Sequence, residues 1–391
     1  MRVLMVTREG SEDRRYGLGR SLAPLFAPMN ARGVDVRYFC QEDLPAGSLA
    51  ARQRWVDRCM PLLPARDRDA RLNLLRAWLE RMQVGLAAAR LASREGFTHV
   101  HAHDPWLAAG VALGLALRLR GKIRWGFTQH GFGSYSRATH DDGLVQGPRM
   151  QRWLRRIERG IAARARWVIA PTSAALDRVG RDLGVATRPA HWHCVPHARP
   201  SLAPASPAER APAREALGLA ADDVLVLGVG RLVPLKRFDR VIRACARQQG
   251  TRVHLLLLGT GDAAPLERVA GETGFAGRLR MQATDDVTPY FHAADIYMSA
   301  SSTESFGIAN LEALCAGLPA ICSAVGGVPE VVGEAAWLVD GETDTLAAAL
   351  GELLGDASAR AAWSARALER ARTWPDAQQI ADRYVAIYQA A

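Results

Sequence analysis

Short apolar runs alternate with amphipathic stretches along the whole chain, and each run is followed by a polar or glycine-containing turn. The first half contains RVLMVT, VDVRYFC, HVHAHD, IRWGFTQH and WVIAPT, and the second contains DVLVLGVG, VHLLLLGTG, DIYMSAS and PAICSA. Continuous apolar strands alternating with helical patterns are typical of parallel sheets with crossover helices. The pattern predicts the α/β class, with two doubly wound domains facing a cleft. Ligands should bind in the loops that follow the strands.

The domain boundaries are predicted from a change in composition and from the last helical pattern. Residues 199–214, RPSLAPASPAERAPAR, are rich in proline, alanine and serine, which favours a linker. We therefore expect one domain over 1–200 and a second over 201–374. Residues 375–391 begin with a proline and continue as an amphipathic pattern, which predicts a terminal helix that packs on another element.

Composition narrows the class of protein. Of 391 residues, 49% are hydrophobic and 23% are charged, which is globular composition. The opening MRVLMVTREG reads as a first strand, and the longest apolar run, 106–117, is shorter than the ~20 residues that span a bilayer. Six cysteines without a CxxC pair suit a reducing cytoplasm. The net charge of +10 favours anionic partners: phosphates, nucleic acid or lipid headgroups.

Two segments are conspicuously basic. Residues 51–82 are interpreted as containing a helix with an apolar face that includes Trp78, and residues 149–166 hold seven arginines. Each segment is read either as a solvated helix face or as a docking surface for an anionic membrane. We hypothesise that the first segment docks on a membrane, which would place the protein peripherally on the inner face of the cytoplasmic membrane.

The segment VLVLGVGRLVPLKRFDRVIRA has the arrangement of a diphosphate site. A strand ends at 228–230, a short loop presents Arg231 and Lys236, and a helix begins near Phe238. Two cations and a helix N-terminus favour an anion, although a solvated cationic loop is the alternative. The next strand ends in a second glycine turn that contains Gly261, which permits either a close approach to a ligand or a tight turn.

The segment ESFGIANLEALCAG, 304–317, places two glutamates around a helix start. Gly307 would let the backbone approach a ligand, and Glu312 lies early in a helix whose neighbours are apolar. A carboxylate can accept hydrogen bonds from two vicinal hydroxyls, so carboxylates beside a phosphate-seeking helix end suggest a sugar nucleotide. The alternative is one glutamate that complements the helix dipole and one exposed glutamate.

Together, GRLVPLKRFDRVIRA and ESFGIANLEALCAGLPAICSAVGGVPEVV resemble glycosyltransferase family 4, the retaining GT-B enzymes, and the glutamate pair matches that family's E-x7-E motif. With RVLMVT, HVHAHDP, FTQHG and ARWVIAPTSAALDRV, the resemblance covers most of the chain. It implies two Rossmann-like domains, with the acceptor held by 1–200 and the nucleotide-sugar donor held by 201–374. It also implies that the helix of 375–391 crosses back to the N-terminal domain.

The resemblance also implies roles for particular residues. Arg231 and Lys236 would bind the donor diphosphate, Glu312 the ribose and Glu304 the transferred sugar. His130 matches the histidine that reaches toward the donor sugar, and these catalytic assignments comprise His130, Arg231, Lys236 and Glu304. The other donor-binding assignments are Gly17, Gly19, Gly230, Gly261, Ser305, Phe306, Gly307, Ile308 and Glu312. His103 and Asp104 are expected on the acceptor side, with core or supporting roles as alternatives.

In two places the sequence departs from the family pattern. The turn after the first strand, REGSEDRRYGLGRS, is longer and more charged than the usual glycine-rich turn, so Gly17 and Gly19 are only its nearest candidates. The expected nucleobase loop reads RMQATDDVTPYF and lacks the usual glycine, which leaves the base open between UDP and GDP types.

The predicted function is a retaining, metal-independent, hexosyl-type glycosyltransferase of bacterial glycan biosynthesis. It would transfer a sugar from a nucleoside diphosphate to a hydroxyl of a saccharide or lipid-linked acceptor, without a cofactor and without a nucleic-acid partner. Its transition state should resemble an oxocarbenium ion. The alternatives are a GT-B sugar-nucleotide epimerase and, less favoured, a basic nucleic-acid-binding protein. A nicotinamide oxidoreductase is disfavoured because GxGxxG is missing.

Overall fold

The computed structural model describes residues 1–8, 17–62, 68–117, 122–141, 147–248 and 250–391. These residues form two compact units. Unit 1 comprises Met1–His197 with Ala377–Ala391, and unit 2 comprises Ala198–Asp376. The last helix of the chain thus belongs to unit 1, although the chain reaches it from unit 2.

Each unit is built on one six-stranded sheet, and all the strand pairs are parallel. The strands are β1 (Arg2–Val6), β2 (Asp35–Phe39), β3 (His99–Ala102), β4 (Arg124–Thr128), β5 (Val168–Ala170), β6 (Trp192–Cys194), β7 (Val224–Val229), β8 (Val253–Leu258), β9 (Leu279–Gln282), β10 (Ile296–Ser299), β11 (Ala320–Ser323) and β12 (Trp337–Val339). Their spatial order is β2-β1-β3-β4-β5-β6 in unit 1 and β12-β11-β10-β7-β8-β9 in unit 2. The predicted α/β class with two parallel sheets is therefore confirmed.

Helices connect the strands in both units. They are α1 (Gly17–Ala31), α2 (Ser48–Cys59), α3 (Arg68–Glu95), α4 (Pro105–Ala116), α5 (Tyr135–Asp141), α6 (Pro148–Arg164), α7 (Ser173–Leu183), α8 (Pro207–Ala216), α9 (Phe238–Ala246), α10 (Ala264–Glu272), α11 (Thr288–Ala293), α12 (Ile308–Cys315), α13 (Val328–Val332), α14 (Thr343–Gly355), α15 (Ala357–Thr373) and α16 (Ala377–Ala390). Their apolar faces cover the sheets, whose central strands β1, β3, β10 and β11 are almost wholly buried.

One local prediction was wrong. The segment predicted as a linker contains α8, because Pro207 occupies the first helical position and Ser206 forms a capping box with Glu209. Arg210 and Arg214 of α8 then bind Asp295 at 2.5 and 2.9 Å, which fastens the helix to unit 2. The helix predicted within residues 51–82 is present, since α3 begins at Arg68 and includes Trp78.

The terminal helix α16 packs against the buried histidines of β3. The hydroxyl of Tyr388 lies 2.6 Å from Nδ1 of His101, and the carbonyl of Tyr388 lies 3.1 Å from Nε2 of His99. Tyr388 and Trp167 are among the largest fully buried side chains and meet edge to face, with ring centroids 5.1 Å apart. The last residues of the chain therefore complete the core beneath the sheet of unit 1.

Candidate active site

In unit 2 the loop after β7 holds the two predicted phosphate ligands. Arg231 is exposed, and Lys236 ends a short 3-10 turn, Pro234–Lys236, that leads into α9. Within the described part of the chain, Arg231 has no carboxylate at ion-pair distance. The loop therefore presents one uncompensated cation and one cation held in a fixed turn.

Two glycine turns pack directly against each other beside this loop. A Cβ on Gly259 would lie 1.9 Å from the carbonyl oxygen of Gly230, and a Cβ on Gly261 would lie 2.5 Å from that of Leu232. The amide of Leu232 donates to the carbonyl of Thr260 at 2.8 Å, which joins the turns. The glycines after β8 are thus required for the contact between the two loops. This packing explains Gly259 and Gly261 without a ligand.

Lys236 and Glu304 are brought into direct contact. The ammonium nitrogen of Lys236 lies 2.5 Å from Oε2 of Glu304, and their side chains are 20% and 18% exposed. The carbonyl of Glu304 accepts from the amide of Gly327 at 3.0 Å, so the backbone beside the carboxylate is also held. The sequence assigned these residues to different parts of a ligand, and the structure shows that they form an ion pair.

The backbone just before α12 has a conformation that favours glycine, at the position where the sequence places Gly307. Gly307 has φ +79°, and a Cβ there would lie 2.6 Å from the side-chain nitrogen of Asn310. Ser305 precedes it in the loop, and Ile308 is the first residue of the helix. The Phe306 side chain is 2% exposed and packs edge to face on Trp374 in the core. The Phe306 side chain therefore belongs to the core and is not available to a ligand.

Glu312 is buried, with 3% of its surface exposed. Next to it in space is Tyr297, whose hydroxyl donates to Oδ1 of Asn310 at 2.9 Å. Burial raises the pKa of Tyr297 well above its usual value, and Cys322 and the carboxylates of Glu304 and Glu312 raise it further. Both glutamates therefore act on one buried phenol, so the chain brings the two ends of the motif together.

One residue of this loop was missed by the sequence reasoning. Arg237 has φ +49°, the left-handed region, and in the described chain it is the one non-glycine residue with positive φ. Its guanidinium binds Asp239 at 3.2 Å. Left-handed backbone at a non-glycine residue costs on the order of 1 kcal/mol and is concentrated at functional sites. No sequence signal marks such a conformation at an arginine.

In unit 1 the candidate residues form a row of histidines at the carboxyl ends of the strands. The rings of His101 and His103 stack with centroids 4.6 Å apart, His103 stacks on His130 at 5.2 Å, and His130 on His197 at 5.8 Å. Nδ1 of His103 lies 3.0 Å from Nε2 of His130. Of these four, the sequence singled out His103 and His130 as functional and missed His197.

Burial keeps these imidazoles neutral. It lowers the pKa of His101 to about 3 and that of His197 to about 4. Burial and the neighbouring imidazoles together lower the pKa of His103 and of His130 well below 6.5. At neutral pH the row therefore carries hydrogen-bond donors and acceptors but no charge.

The position of the protons on His103 and His130 can be inferred from one unpaired atom. Nε2 of His103 is buried without a hydrogen-bond partner among the described residues. A buried unpaired N–H is rarer than a buried unpaired acceptor, which favours the tautomer of His103 with its proton on Nδ1. Nδ1–H then donates to Nε2 of His130, so that His130 keeps its own proton on Nδ1.

Asp104 is engaged in structural contacts. Its carboxylate caps α4 by accepting from the amides of Trp106 and Leu107, and it binds Nε of Arg81 at 2.8 Å. Burial alone would lower the pKa of Arg81, but the charge of Asp104 and the hydrogen bonds of Asp104 and Tyr135 raise it overall. Asp104 thus holds the start of α4 and the side chain of Arg81 in place. Its carboxylate is not free to bind an acceptor.

Glu158 caps the start of a second helix, α5. Its two carboxylate oxygens accept from the amides of Tyr135 and Ser136, at 2.8 and 2.9 Å. Burial raises the pKa of Glu158 to about 7, although the hydrogen bonds from Ser136 and Tyr135 oppose that shift. Sequence reasoning missed this buried acid, because it lies in an arginine-rich helix.

The remaining assigned residues lie at the start of α1. Gly17 and Gly19 fall in its first turn, while residues 9–16 of the turn before them lie outside the described residues. No group of three or more histidine, cysteine, aspartate or glutamate side chains in the described ranges is arranged to hold a metal ion. None of the helices described is long and apolar enough to span a bilayer.

One cavity of unit 1 lies away from these residues. It encloses about 810 Å³ and is lined by Arg124 and Trp125 at the start of β4 and by Arg166 before β5. These positions lie at the amino ends of the strands, whereas ligands of open α/β sheets bind at the carboxyl ends. The candidate site therefore rests on the loops, not on this cavity.

Two α/β units, each built on a parallel sheet and one with charged loops at the carboxyl ends of its strands, are typical of the GT-B class of folds. Solved structures agree on the fold: sucrose-phosphate synthase from Thermosynechococcus elongatus has a TM-score of 0.76 at 20% identity, covering 100% of this chain and 98% of the other. Anabaena Alr3699/HepE in complex with UDP-glucose gives 0.75 at 17% identity and full coverage of both chains.

Comparison with protein families gives the same class. The model of glycosyl transferases group 1 matches residues 209–370, and that of glycosyltransferase family 4 matches residues 16–197. The two models together match most of the chain, which is consistent with glycosyltransferase family 4. A D-inositol 3-phosphate glycosyltransferase of Mycobacterium marinum is 40% identical over 172 residues, which make up 41% of this chain and 37% of that protein. The matched region thus spans little more than a third of that relative's length.

Proposed function

We propose that this protein is a retaining glycosyltransferase that takes a sugar from a nucleoside-diphosphate donor bound to unit 2. The observation that carries the proposal is the 2.5 Å ion pair between Lys236 and Glu304. The pair brings together a cation suited to the diphosphate and a carboxylate suited to sugar hydroxyls. A nucleoside-diphosphate donor requires this proximity, because its sugar is joined directly to its phosphate.

The diphosphate is the leaving group, and it gains charge as its bond to the sugar breaks. Arg231 and Lys236 stabilise that charge, and the open backbone of 306–308 adds amides at the start of α12. An ammonium has three donors, so Lys236 can keep its bond to Glu304 while it binds a phosphate oxygen. Glu304 thereby fixes the position of Lys236 before the donor arrives.

Glu312 is assigned to the ribose hydroxyls, and His130 to the transferred sugar. A carboxylate buried at 3% exposure gains from a partner that donates two hydrogen bonds, because an unpaired buried charge is costly. His130 is neutral, so it serves as a hydrogen-bond partner and not as a cation. His103 orients it, and Asp104 holds the neighbouring helix in place.

Retention is proposed from the resemblance to the retaining GT-B enzymes, without a covalent glycosyl-enzyme intermediate. A carboxylate paired with a lysine at 2.5 Å is a poor nucleophile toward the anomeric carbon. The reaction is therefore assigned to one face of the sugar, with the leaving phosphate accepting the proton of the acceptor hydroxyl. No step requires a metal ion, since Arg231 and Lys236 neutralise the phosphates.

The acceptor is assigned to unit 1 and is a saccharide or a lipid-linked sugar of a bacterial glycan. The donor is of the UDP or GDP type. UDP-glucose is the ligand named for the Anabaena structure, and inositol 3-phosphate is named for the M. marinum relative. Neither name fixes the sugar, the base or the acceptor of this chain.

A thermal-shift comparison of UDP, GDP and ADP tests the donor assignment. One nucleotide should raise Tm through binding to the native state, and Lys236→Ala should weaken that effect. The matching sugar nucleotide is then incubated with acceptor and its product anomer is read by NMR. Inversion at the anomeric carbon would refute retention, and isomerised donor in the absence of an acceptor would identify an epimerase instead.

Docking on an anionic membrane is proposed for α2. This helix exposes Leu49 and Trp55, at 51% and 60%, beside the exposed Arg54 and Arg58. Apolar and basic side chains together suit the interface of an anionic bilayer, where each basic residue contributes about 1 kcal/mol. Binding to phosphatidylglycerol vesicles should weaken in Trp55→Ser and with added salt. Binding that does neither would contradict the proposal.

A further inference from the structure

Unit 1 contains a small basic pocket that none of these roles uses. It encloses about 200 Å³ between α5, α6 and α7. The side chains on which its chemistry depends are Arg137, Arg152, Arg155, Arg181, Ser134 and Ser136. Four guanidinium groups thus surround a space large enough for one small anionic group.

Three of the four arginines of the pocket lack a carboxylate partner within the described chain. Arg152, Arg155 and Arg181 have no carboxylate at ion-pair distance among the described residues. The carboxylate that lines the pocket, Asp182, is already used: Oδ1 accepts from Arg178 at 3.1 Å and Oδ2 from the amide of Ser134 at 2.9 Å. Like charges gathered in this way repel each other unless an anion lies between them.

The spacing along α6 adds to this repulsion. Arg152 and Arg155 are three residues apart and therefore lie on one face of the helix. A like-charge pair at this spacing destabilises a helix that holds no counterion. A bound anion would remove that cost at both residues.

Buried hydroxyls form the floor of the pocket. Ser134 and Ser136 are 1% and 2% exposed, and their hydroxyl oxygens lie 3.1 Å apart. The backbone amides beside them are already occupied by Asp182, Glu158 and the Ser134 hydroxyl. A ligand would therefore be held by guanidinium groups and hydroxyls, not by the end of α5.

We propose that this pocket binds a phosphate group of the acceptor. The planar guanidinium donates paired hydrogen bonds that match the oxygens of a phosphate, and serine hydroxyls complete such a shell. This assignment rests on the proposed function, because it makes the phosphate an anchor for the molecule that receives the sugar.

The chain keeps the pocket close to the candidate histidine. Ser134 follows His130 by four residues, so their Cα atoms are at most ~14 Å apart. The loop is folded further, since the amide of the Gln129 side chain donates to the carbonyl of Gly133 at 2.7 Å. A phosphate in the pocket and a hydroxyl near His130 can thus belong to one small molecule.

Inorganic phosphate is the probe for the pocket, followed through the rise in Tm at constant ionic strength. The double variant Arg152→Gln/Arg155→Gln should bind phosphate about tenfold more weakly or worse, since each charged hydrogen bond contributes that order of affinity. The matched control is Arg156→Gln/Arg159→Gln, which removes the same charge from the same helix outside the pocket. It should bind phosphate like the wild type.

Equal phosphate affinity in both double variants would refute the pocket, as would loss of affinity in Lys236→Ala alone. Phosphatidylglycerol vesicles separate the two sources of phosphate. If Arg152→Gln/Arg155→Gln loses vesicle binding but keeps phosphate binding, the ligand is a lipid headgroup and the acceptor proposal is wrong. The Tm rise caused by UDP is measured in the same variants. If UDP raises the Tm of none of these proteins but the two double variants still differ in phosphate affinity, the proposed function is wrong and the pocket remains a phosphate site.

Discussion

At the carboxyl edge of the first sheet the polar side chains are imidazoles that burial keeps neutral, whereas the same edge of the second sheet carries a lysine, an arginine and two glutamates. The neutral row contains His101, His103, His130 and His197. The charged edge centres on the pair of Lys236 and Glu304. Neutral groups can hold hydroxyls without attracting a competing anion, and charged groups can hold a diphosphate. The two edges are thus suited to the two substrates of a transfer reaction.

Acidification should have the largest effect on this comparison, and it should act on unit 1. The folded pKa of His101 is about 3 against an unfolded value of about 6.5, so its contribution to stability is present above pH 6.5 and is lost as the pH falls. Between pH 6.5 and 5 that loss is about 2 kcal/mol for this histidine, and the other three add to it. Hydrogen exchange at pH 7 and pH 5, corrected for intrinsic rates, should show greater opening of β3 and β4 than of β7 and β8.

Glu158 provides the control, because its shift has the opposite sign. Its pKa of about 7 lies above the unfolded value of about 4.5, so the stability it contributes is present below pH 4.5 and is lost as the pH rises toward 7. Glu158 therefore offsets part of the histidine effect on acidification. In Glu158→Gln that offset disappears, and unit 1 should lose stability more steeply toward pH 5. Equal protection of both sheets at the two pH values would contradict the neutral-row interpretation.

Removal of the Lys236 cation from the charged edge of the second sheet should have the next largest effect. The quantity affected should be turnover. Lys236→Ala should lower kcat by about 10²–10³-fold, or ~3–4 kcal/mol, the scale of one lost donor to a developing anion. Arg243→Ala removes an exposed arginine from the next helix, where it pairs with Glu272, and should leave kcat within twofold.

A loss of kcat in Lys236→Ala could also arise because Glu304 is left unpaired. The double variant Lys236→Met/Glu304→Gln removes both charges and restores a neutral, similarly shaped pair. If it regains wild-type turnover, Lys236 stabilises only Glu304 and not the leaving group.

Glu312→Gln should weaken donor binding by about tenfold or more, since hydrogen bonds to a charged acceptor contribute ~1.5–3 kcal/mol. The sharper test compares the preferred nucleoside diphosphate with its 2′-deoxy form by calorimetry. The wild type should favour the ribose form strongly, and Glu312→Gln should favour it little. Undiminished discrimination in the variant would move the ribose contact to another residue.

The sequence was informative where structure depends on neighbours along the chain. The strands, the glycine turn before α12 and the burial of Glu312 all follow from local patterns, and each lies as predicted. Contacts between distant residues were not predictable. The pairing of Lys236 with Glu304 joins residues 68 apart, and that of His101 with Tyr388 joins residues 287 apart. The tertiary fold determines which distant residues meet, and the local sequence around either residue does not show it.

The linker shows a different kind of error. Its proline, alanine and serine content was interpreted as a linker, although Ser206 and Glu209 carry the spacing of a capping box. The local signal for a helix was present and was outweighed by composition. Asp104 is a comparable case, because an aspartate that directly precedes a proline and a long apolar run also has the signature of a helix cap.

The smallest expected effect concerns the neutral row itself. His103→Ala removes the proposed donor to His130 and should lower kcat by up to about tenfold, the value of one neutral hydrogen bond. His103→Asn places an amide N–H near the position of Nδ1 and should recover part of that loss, because it can donate to Nε2 of His130. The pH dependence of kcat separates this role from simple packing. Without the donor, the tautomer of His130 is no longer fixed, and its pKa should move toward 6.5 as one neighbouring imidazole is lost. Activity of His103→Ala should then begin to fall at a higher pH than that of the wild type, while an unchanged pH profile would leave His103 a packing residue only.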